Sequence, residues 1–562
     1  MSRDIVNTRK SLNKLRLSKR MPANETAVPK TISYPNLPLH DILKEKSRLY
    51  GSRTAIACSS AKISYEELDS LSDHFSSALF RLGVRKGDKV ALFLPNVPQF
   101  VIAFYGILKT GAIVTAISPL HREREVQHQL SDSEAETIVA LESLHPIIES
   151  VWSETKLKRA IVTKPDEFAA DCAVPTGYTS LKPKCYRFPE LLLENGNSPP
   201  KVEINPYEDL AALQYTGGTT GTARGAMLTH MNLVSNASMF AAWIRGVEAE
   251  ETFLTALPLF HIYGLTTSLT VPVSLTATMV LLPKFDSRAA LESIQRHRVT
   301  VFCGVPTMYS ALLANPEIGN YDLTSLRLCI SGASPLPAQV QEKFMEVTGG
   351  FLAEGYGLTE ASPVTHCNPV DRTLKTVRVG SIGLPLPDTE ARIVDLETGE
   401  RTLMPSETGE LVVRGPQVMK GYWRQPEETA SVLRNGWLHT GDIGRIDNEG
   451  YFYVTDRKKD LIKYKDYSVY PREIEDVLYE HPTVRLCAVV GKVVADVGEV
   501  PKAFVVLKEG TSATEAELME FVKQKIAPYK MLRQVEFKTE LPISPAGKVL
   551  KRLLRDEEKA KA

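Results

Sequence analysis

The sequence predicts an α/β protein with a large N-terminal domain of parallel-sheet αβ layers, a β subdomain, and a small α+β domain at the C-terminal end. Three observations predict it. Helical patterns and short apolar runs alternate up to about residue 330, the pattern of parallel sheets covered by helices. From about residue 380 short β-rich runs follow one another, separated by Gly, Pro and Asn. After Asp456 a densely charged stretch, DRKKDLIKYKD, opens a compact segment of mixed helix and strand. At 562 residues the chain exceeds the size at which a single core stops growing, so at least two domains are expected.

The elements follow in order. Ser64 and Glu67 form a capping box, and the helix they open carries Leu68, Leu71, Phe75, Leu79 and Leu82 at near-helical spacing before Gly83 ends it. A strand is expected at 90–94, stopped by Pro95, then a helix over about 98–109 and a strand within 111–117. Further strands are expected near 136–141, 253–257, 278–282, 299–304 and 326–331. The stretch from about 165 to 205, rich in Pro, Lys and Asp, is expected to run over the surface. Short β runs at 391–394, 410–414 and 451–455 mark the β subdomain. Beyond a boundary at 456–460, the pattern gives a helix near 471–480, strands near 486–490 and 502–507, and a helix opened by the Thr514/Glu517 capping box. No internal repeat is visible.

Composition narrows the function classes. Lys plus Arg and Asp plus Glu balance at 67 each, which gives no reason to expect a nucleic-acid binder. The 7 cysteines are scattered without a CxxC pair, so a reduced, cytoplasmic protein without a structural zinc site is expected. No apolar run approaches the roughly 18 residues of a membrane span. The first 20 residues carry Arg3, Arg9, Lys10, Lys14, Arg16, Lys19 and Arg20 against Asp4. Such a segment reads as a solvated basic tail, as a contact with an anionic membrane periphery, or as a transit peptide.

The densest chemical signal is Tyr215–Gly225, YTGGTTGTARG. Glycines let the backbone approach a ligand, Thr hydroxyls and backbone N–H groups bind anionic oxygens, and Arg224 adds fixed charge. The run suits polyphosphate, or else is an ordinary hairpin loop. It is not a Walker loop, because no lysine stands at 222 or 223. Further strings are Gly355-Tyr-Gly-Leu-Thr-Glu360, His439-Thr-Gly-Asp442, Arg457 within the charge run, and Pro542-Ile-Ser-Pro-Ala-Gly-Lys548. Each alone is a turn, a solvated face or a surface lysine.

Together and in order, from about 38 to 555, they resemble the adenylate-forming superfamily of acyl-CoA synthetases, luciferases and peptide-synthetase adenylation domains. Asn435-Gly-Trp-Leu-His-Thr-Gly-Asp442 continuing to Asp456-Arg-Lys-Lys-Asp-Leu-Ile-Lys463 is similar to the signature region of fatty-acyl-CoA synthetases, as is Tyr470-Pro-Arg-Glu-Ile-Glu475. The resemblance implies a lead-in at 1–37, an AMP-binding domain at 38–455, a hinge at 456–460 and a mobile C-terminal domain at 461–562. It implies ATP, CoA and Mg²⁺ as ligands, a fatty acid as substrate, and a monomer or homodimer.

The implied chemistry has an electrostatic obstacle. A carboxylate becomes an acyl donor by attacking the α-phosphate of ATP, but both partners are anionic. Repulsion at 4 Å is roughly 4 kcal/mol at an effective dielectric near 20, and preorganised positive charge offsets it. By resemblance, Lys548 would bridge carboxylate and α-phosphate. Thr216, Gly217, Gly218, Thr219, Thr220, Gly221 and Arg224 would handle the outer phosphates. Thr359 would contact the α-phosphate, and Glu360 with Thr219 would bind the metal. Gly355, Tyr356 and Gly357 would flank the adenine. Asp442, with Arg457 and Val454 near it, would hold the ribose. His261 would sit at the acyl pocket, with Gly332 and Ala333 lining the groove to the nucleotide. Lys459 matches the hinge, and Lys463 and Asp466 lie on the loop that serves the thioester step.

Two positions depart from the resemblance. Arg224 replaces the usual lysine, keeping charge but not shape. Asp466 replaces the usual glycine beside the pantetheine tunnel, where it is either accommodated by Lys463 or Lys465 or weakens thioester formation. The expected activity is an AMP-forming fatty-acid–CoA ligase. The alternatives are transfer to a carrier protein, an aryl or 4-coumarate-type CoA ligase, and a silent acyl- or nucleotide-binding protein.

Overall fold

The computed structural model describes residues 29–58, 61–168, 184–193, 201–216, 223–370, 376–464, 467–494, 498–544 and 549–561. They form two compact units, one ending at Thr389 with Gly415–Ser431 added, the other made of Glu390–Arg414 and the residues from Val432 onward.

Among its described residues the first unit contains two large sheets. Among the described residues one sheet has nine strands, in the order Leu384–Pro385, Val364–Cys367, Phe351–Gly357, Leu328–Ser331, Val301–Gly304, Thr252–Thr255, Thr278–Leu281, Thr54–Cys58 and Ala61–Ser64. Its centre is parallel, and Val364–Cys367, Leu384–Pro385 and Ala61–Ser64 pair antiparallel at its two edges. The other has eight, from Gly421–Tyr422 and Arg224–Thr229 through Leu210–Thr216, Ile113–Ala116, Lys89–Phe93, Thr137–Leu141 and Arg159–Thr163 to Cys185–Arg187. The strands from Leu210–Thr216 to Cys185–Arg187 are parallel, whereas Arg224–Thr229 returns antiparallel beside Leu210–Thr216. The sheets are therefore mixed where alternation alone predicts parallel ones.

The predicted helices form where their caps and stripes place them. Ser64 and Glu67 make the capping box of helix Tyr65–Arg81, which buries Leu68, Phe75 and Leu79. Pro98–Lys109 is buried along its whole length. It is apolar all round because other elements cover every face. Lys109 at its end is neutralised by Asp69 and Asp73, each at 2.5 Å. The expectation of a surface path through 165–205 is corrected in part. Helix Phe188–Leu193 buries Phe188, Leu191 and Leu192, and Phe188 packs 4.8 Å from Phe75. Three buried large apolar residues in six outweigh the polar composition around them.

Among its described residues the second unit has two smaller sheets. Glu390–Val394, Gly409–Arg414, Trp437–Ile446, Leu433–Arg434 and Phe452–Arg457 pair antiparallel. The other sheet joins Tyr467–Val469, Ile462–Tyr464, Gly498–Leu507, Val484–Val494 and Gln534–Phe537. The strands expected at 486–490 and 502–507 are longer than predicted and pair along their whole length. Helices Pro471–Tyr479, Glu515–Lys523 and Lys551–Lys561 accompany that sheet, and Thr514 and Glu517 cap the second as predicted. Lys502 is buried between Glu536 at 2.7 Å and Glu558 at 2.6 Å.

Candidate active site

The Gly/Thr run joins two antiparallel strands. Tyr215 pairs with Gly225 and Thr216 with Arg224, so the run connects the ends of Leu210–Thr216 and Arg224–Thr229. Gly217, Gly218, Thr219, Thr220 and Gly221 lie outside the described residues. The hairpin base is firmly built. Tyr215 donates to Asp132 Oδ2 at 2.5 Å, and its ring lies 3.2 Å from where a Cβ on Gly225 would stand. Glycine at 225 is what lets the Tyr215 ring cross the partner strand.

Arg224 is buried, with Nη1 3.0 Å from Glu428 Oε2 and its guanidinium carbon 5.6 Å from the centroid of the Tyr422 ring. Tyr422 donates its hydroxyl to Glu360 Oε1 at 2.7 Å. Burial, then the Glu360 carboxylate, push the Tyr422 pKa far above its ordinary value, so the phenol stays a donor. Thr359 and Glu360 sit on a short 3₁₀ turn, Thr359–Ala361, that packs against both strands of the hairpin. Met419 N donates to Glu360 O at 2.8 Å and fixes the turn's backbone. Thr216, Arg224, Thr359 and Glu360 thus converge at one end of the eight-stranded sheet.

Gly355, Tyr356 and Gly357 end the strand Phe351–Gly357, with Tyr356 stacked edge-on 6.0 Å from His366. A Cβ on Gly357 would stand 2.2 Å from Pro363 O, so only glycine allows that approach. Gly332 and Ala333 follow the neighbouring strand Leu328–Ser331. Gly332 N donates to Gly304 O at 3.1 Å, and a Cβ there would meet the Tyr263 ring at 3.0 Å. Ala333 adopts φ 68°, a left-handed conformation. His261 lies just before Ile262–Leu265, with Nδ1 accepting from Tyr263 N at 3.2 Å. Its proton therefore resides on Nε2, and burial lowers its pKa to about 4, leaving a neutral ring at pH 7.

The second unit carries the other predicted groups. Asp442 and Arg457 are register partners on adjacent strands, with Arg457 Nε 2.9 Å from Asp442 Oδ1. The turn before Asp442 is organised by Glu410, which is buried. Glu410 accepts from Gly441 N at 3.1 Å and meets Lys458 Nζ at 3.2 Å and His439 Nδ1 at 3.4 Å. Burial keeps the His439 pKa below its ordinary value despite that carboxylate. Val454 lies on the strand after this turn, where its carbonyl accepts from Arg472 Nη1 at 2.8 Å. Lys459 is exposed, and its carbonyl accepts from Arg555 Nη1 at 2.9 Å. Lys463 N donates to Glu499 Oε2 at 3.0 Å. Tyr464 pairs with Tyr467, so two residues connect those strands. Both of them, Lys465 and Asp466, lie outside the described residues, as does Lys548. Ile543 and Val549 bridge across the segment that ends in Lys548.

Sequence reasoning missed Tyr422, Glu428 and Glu410. Tyr422 and Glu428 belong to a Gly-Tyr-Trp and Pro-Glu-Glu stretch whose only signal is a glycine before an aromatic. Glu410 is the one acid in a strand, GELVVR, that is otherwise apolar up to its exposed last residue Arg414, which is the pattern of a buried paired carboxylate.

No group of three or more His, Cys, Asp or Glu able to hold a metal occurs among the described residues. Mg²⁺ does not need one. It prefers oxygen donors and is commonly held by one or two carboxylates plus substrate phosphates and water. Glu360, buttressed through one oxygen by Tyr422, fits that donor set.

The AMP-binding enzyme family model matches residues 43–423, and the model of the AMP-binding enzyme C-terminal domain matches 473–548. The chain belongs to the AMP-binding enzyme family. It is 42% identical to a long-chain-fatty-acid–CoA ligase of Bacillus subtilis (strain 168), over 94% of this chain and 96% of that one. It is 40% identical to a ligase of the same name from Escherichia coli O157:H7, over 93% and 95%. A solved anthranilate CoA ligase in complex with anthranoyl-AMP superimposes with TM-score 0.83 at 28% identity, covering 96% and 99%.

Proposed function

We propose that this protein is an AMP-forming ligase that activates a fatty acid with ATP to an acyl adenylate and passes the acyl group to CoA. The observation that carries the reading is similarity along nearly the whole chain to two long-chain-fatty-acid–CoA ligases, at 42% and 40% identity. The geometry is compatible with it. Thr216, Thr359, Arg224 and Glu360 gather where a polyphosphate would lie, and Asp442 beside Arg457 suits a ribose diol.

In this reading the loop Gly217–Gly221 and Arg224 hold the phosphates that leave. Thr359 donates to the α-phosphate, while Lys548 screens the approach of carboxylate to phosphorus. His261, half-buried and kept neutral by the desolvation that lowers its pKa, with Nδ1 accepting from Tyr263 N, walls the acyl site without adding charge. Gly332 and Ala333 leave room for the acyl group between pocket and nucleotide. Glu360 would hold Mg²⁺, which when bound neutralises charge on the polyphosphate. The segment around Lys459 would act as the hinge that exchanges Lys548 for the Lys463–Tyr467 region before the thiol attacks.

The test is a panel of fatty and aryl carboxylates scored for pyrophosphate release with and without CoA. Long-chain acids should give the highest rates, and AMP release should require CoA. A preference for aryl acids, or acyl transfer only to a carrier protein, would replace this reading. Asp466→Gly in the same panel reports on the second step: an unchanged ratio of thioester formation to pyrophosphate exchange means Asp466 is accommodated.

A further inference from the structure

Residues Gly415–Ser431 cross back to the first unit and add a two-residue strand, Gly421–Tyr422, to the edge of the hairpin that carries Arg224. The graft is fixed at several points. Tyr422 pairs with Ala226 and Gly421 with Met227. Lys420 N donates to Met227 O at 2.9 Å and Trp423 N to Gly225 O at 2.8 Å. Tyr422 N donates to Thr429 Oγ1 at 2.9 Å. Gly421 has φ 144°, with Thr429 Cγ2 2.7 Å from its Cβ position, so this strand enters through a site that excludes a side chain.

The result is a chain of contacts across the phosphate side of the site. Glu428 meets Arg224, Arg224 faces the Tyr422 ring, and the Tyr422 hydroxyl meets Glu360. We propose that Tyr422 is a positioning residue for adenylation, holding the Glu360 carboxylate and the Arg224 guanidinium in fixed relation on either side of the phosphates. The inference rests on the function proposed above and assigns a role to a residue outside its motifs.

The physical grounds are these. A carboxylate serving as a single protein ligand has free rotation about its last bonds unless one oxygen is tied. The Tyr422 hydroxyl ties Oε1 with a charge-assisted bond at 2.7 Å. The same ring offers its face to the guanidinium, limiting its swing toward Glu428 alone. With Tyr422 only 7% exposed, solvent cannot supply a replacement donor of equal geometry.

The test uses the full-length protein, ATP and Mn²⁺ as a paramagnetic stand-in for Mg²⁺, without carboxylic acid, so that no turnover occurs. Mn²⁺ binding is measured by electron paramagnetic resonance for wild type, Tyr422→Phe, Glu360→Gln and the double variant. Phenylalanine keeps the ring and every backbone bond, and the thermal midpoint checks the fold. Tyr422→Phe should weaken Mn²⁺ binding about tenfold, the effect of losing a hydrogen bond to a charged group. In the Glu360→Gln background it should add nothing, because the hydroxyl acts through that carboxylate. Binding within twofold of wild type, or losses that simply multiply in the double variant, would overturn the proposal. Wild-type pyrophosphate exchange with a long-chain acid is measured alongside: its absence refutes the proposed function, whereas exchange with an unaltered Tyr422→Phe refutes only the role of Tyr422.

Discussion

Glycine at position 332 is set by a neighbour that cannot yield. The Tyr263 ring would lie 3.0 Å from an added methyl, and its hydroxyl is tied to Ile330 O at 3.0 Å and Gly304 O at 3.3 Å. Gly332→Ala should therefore cost about 1–3 kcal/mol by overpacking and raise KM for the acid. Denaturant titration and steady-state kinetics measure the two effects, and a neutral result would mean that Tyr263 moves. At this scale the sequence was legible where a residue carried its own chemistry within a motif. Arg224, Glu360 and Asp442 are of that kind, and the first two are brought close by the packing of the Thr359–Ala361 turn against the hairpin. Tyr422 was not legible, because its partners Glu360 and Arg224 lie 62 and 198 positions away and only pairing of strands brings them close.

Elements were legible where a local rule was strong. Capping boxes at Ser64 and Thr514 fixed two helix starts to the residue. The edge strands were not, since antiparallel pairing of Arg224–Thr229 with a strand from beyond residue 420 leaves no local trace. One element has a testable duty. Helix Lys551–Lys561 sends Arg555 to the segment proposed as the hinge, where Nη1 lies 2.7 Å from Asp460 Oδ1 and 2.9 Å from Lys459 O. Arg472, from helix Pro471–Tyr479, secures the preceding strand through Asp456 and Val454. Arg555→Ala should raise the rate of tryptic cleavage at residues 457–459 about tenfold, as loss of roughly 1.4 kcal/mol of local stability implies. Mass spectrometry of the fragments locates the cut, and an unchanged rate would show that Arg472 suffices to hold the segment.

For the whole molecule, stability should depend on pH through buried histidines. His230 and His366 are buried, and burial lowers their pKa values to about 4 and about 3. His230 Nδ1 accepts from Leu39 N at 3.2 Å, a bond that a second ring proton would abolish. The unfolded chain takes up these protons near pH 6.5, before the folded chain does. The histidines therefore take nothing from stability above about pH 7. Between about pH 6.5 and 4, each would remove about 1.4 kcal/mol per pH unit. Urea midpoints at pH 7.5 and 5.0 test this, and His366→Asn should flatten the difference. Neither histidine stood out in the sequence, because burial is a property of the fold and not of the neighbouring residues.

Glu410 has a consequence of a different kind. Its carboxylate collects Gly441, Lys458 and His439 within one unit, so the turn leading to Asp442 is held by contacts internal to the protein. The conformational entropy of that turn is lost once, during folding, and is not charged again at each catalytic cycle. Under the proposed function, a ribose arriving at Asp442 would meet a rigid acceptor, and the free energy of that contact would go into holding the nucleotide instead of shaping the loop that receives it.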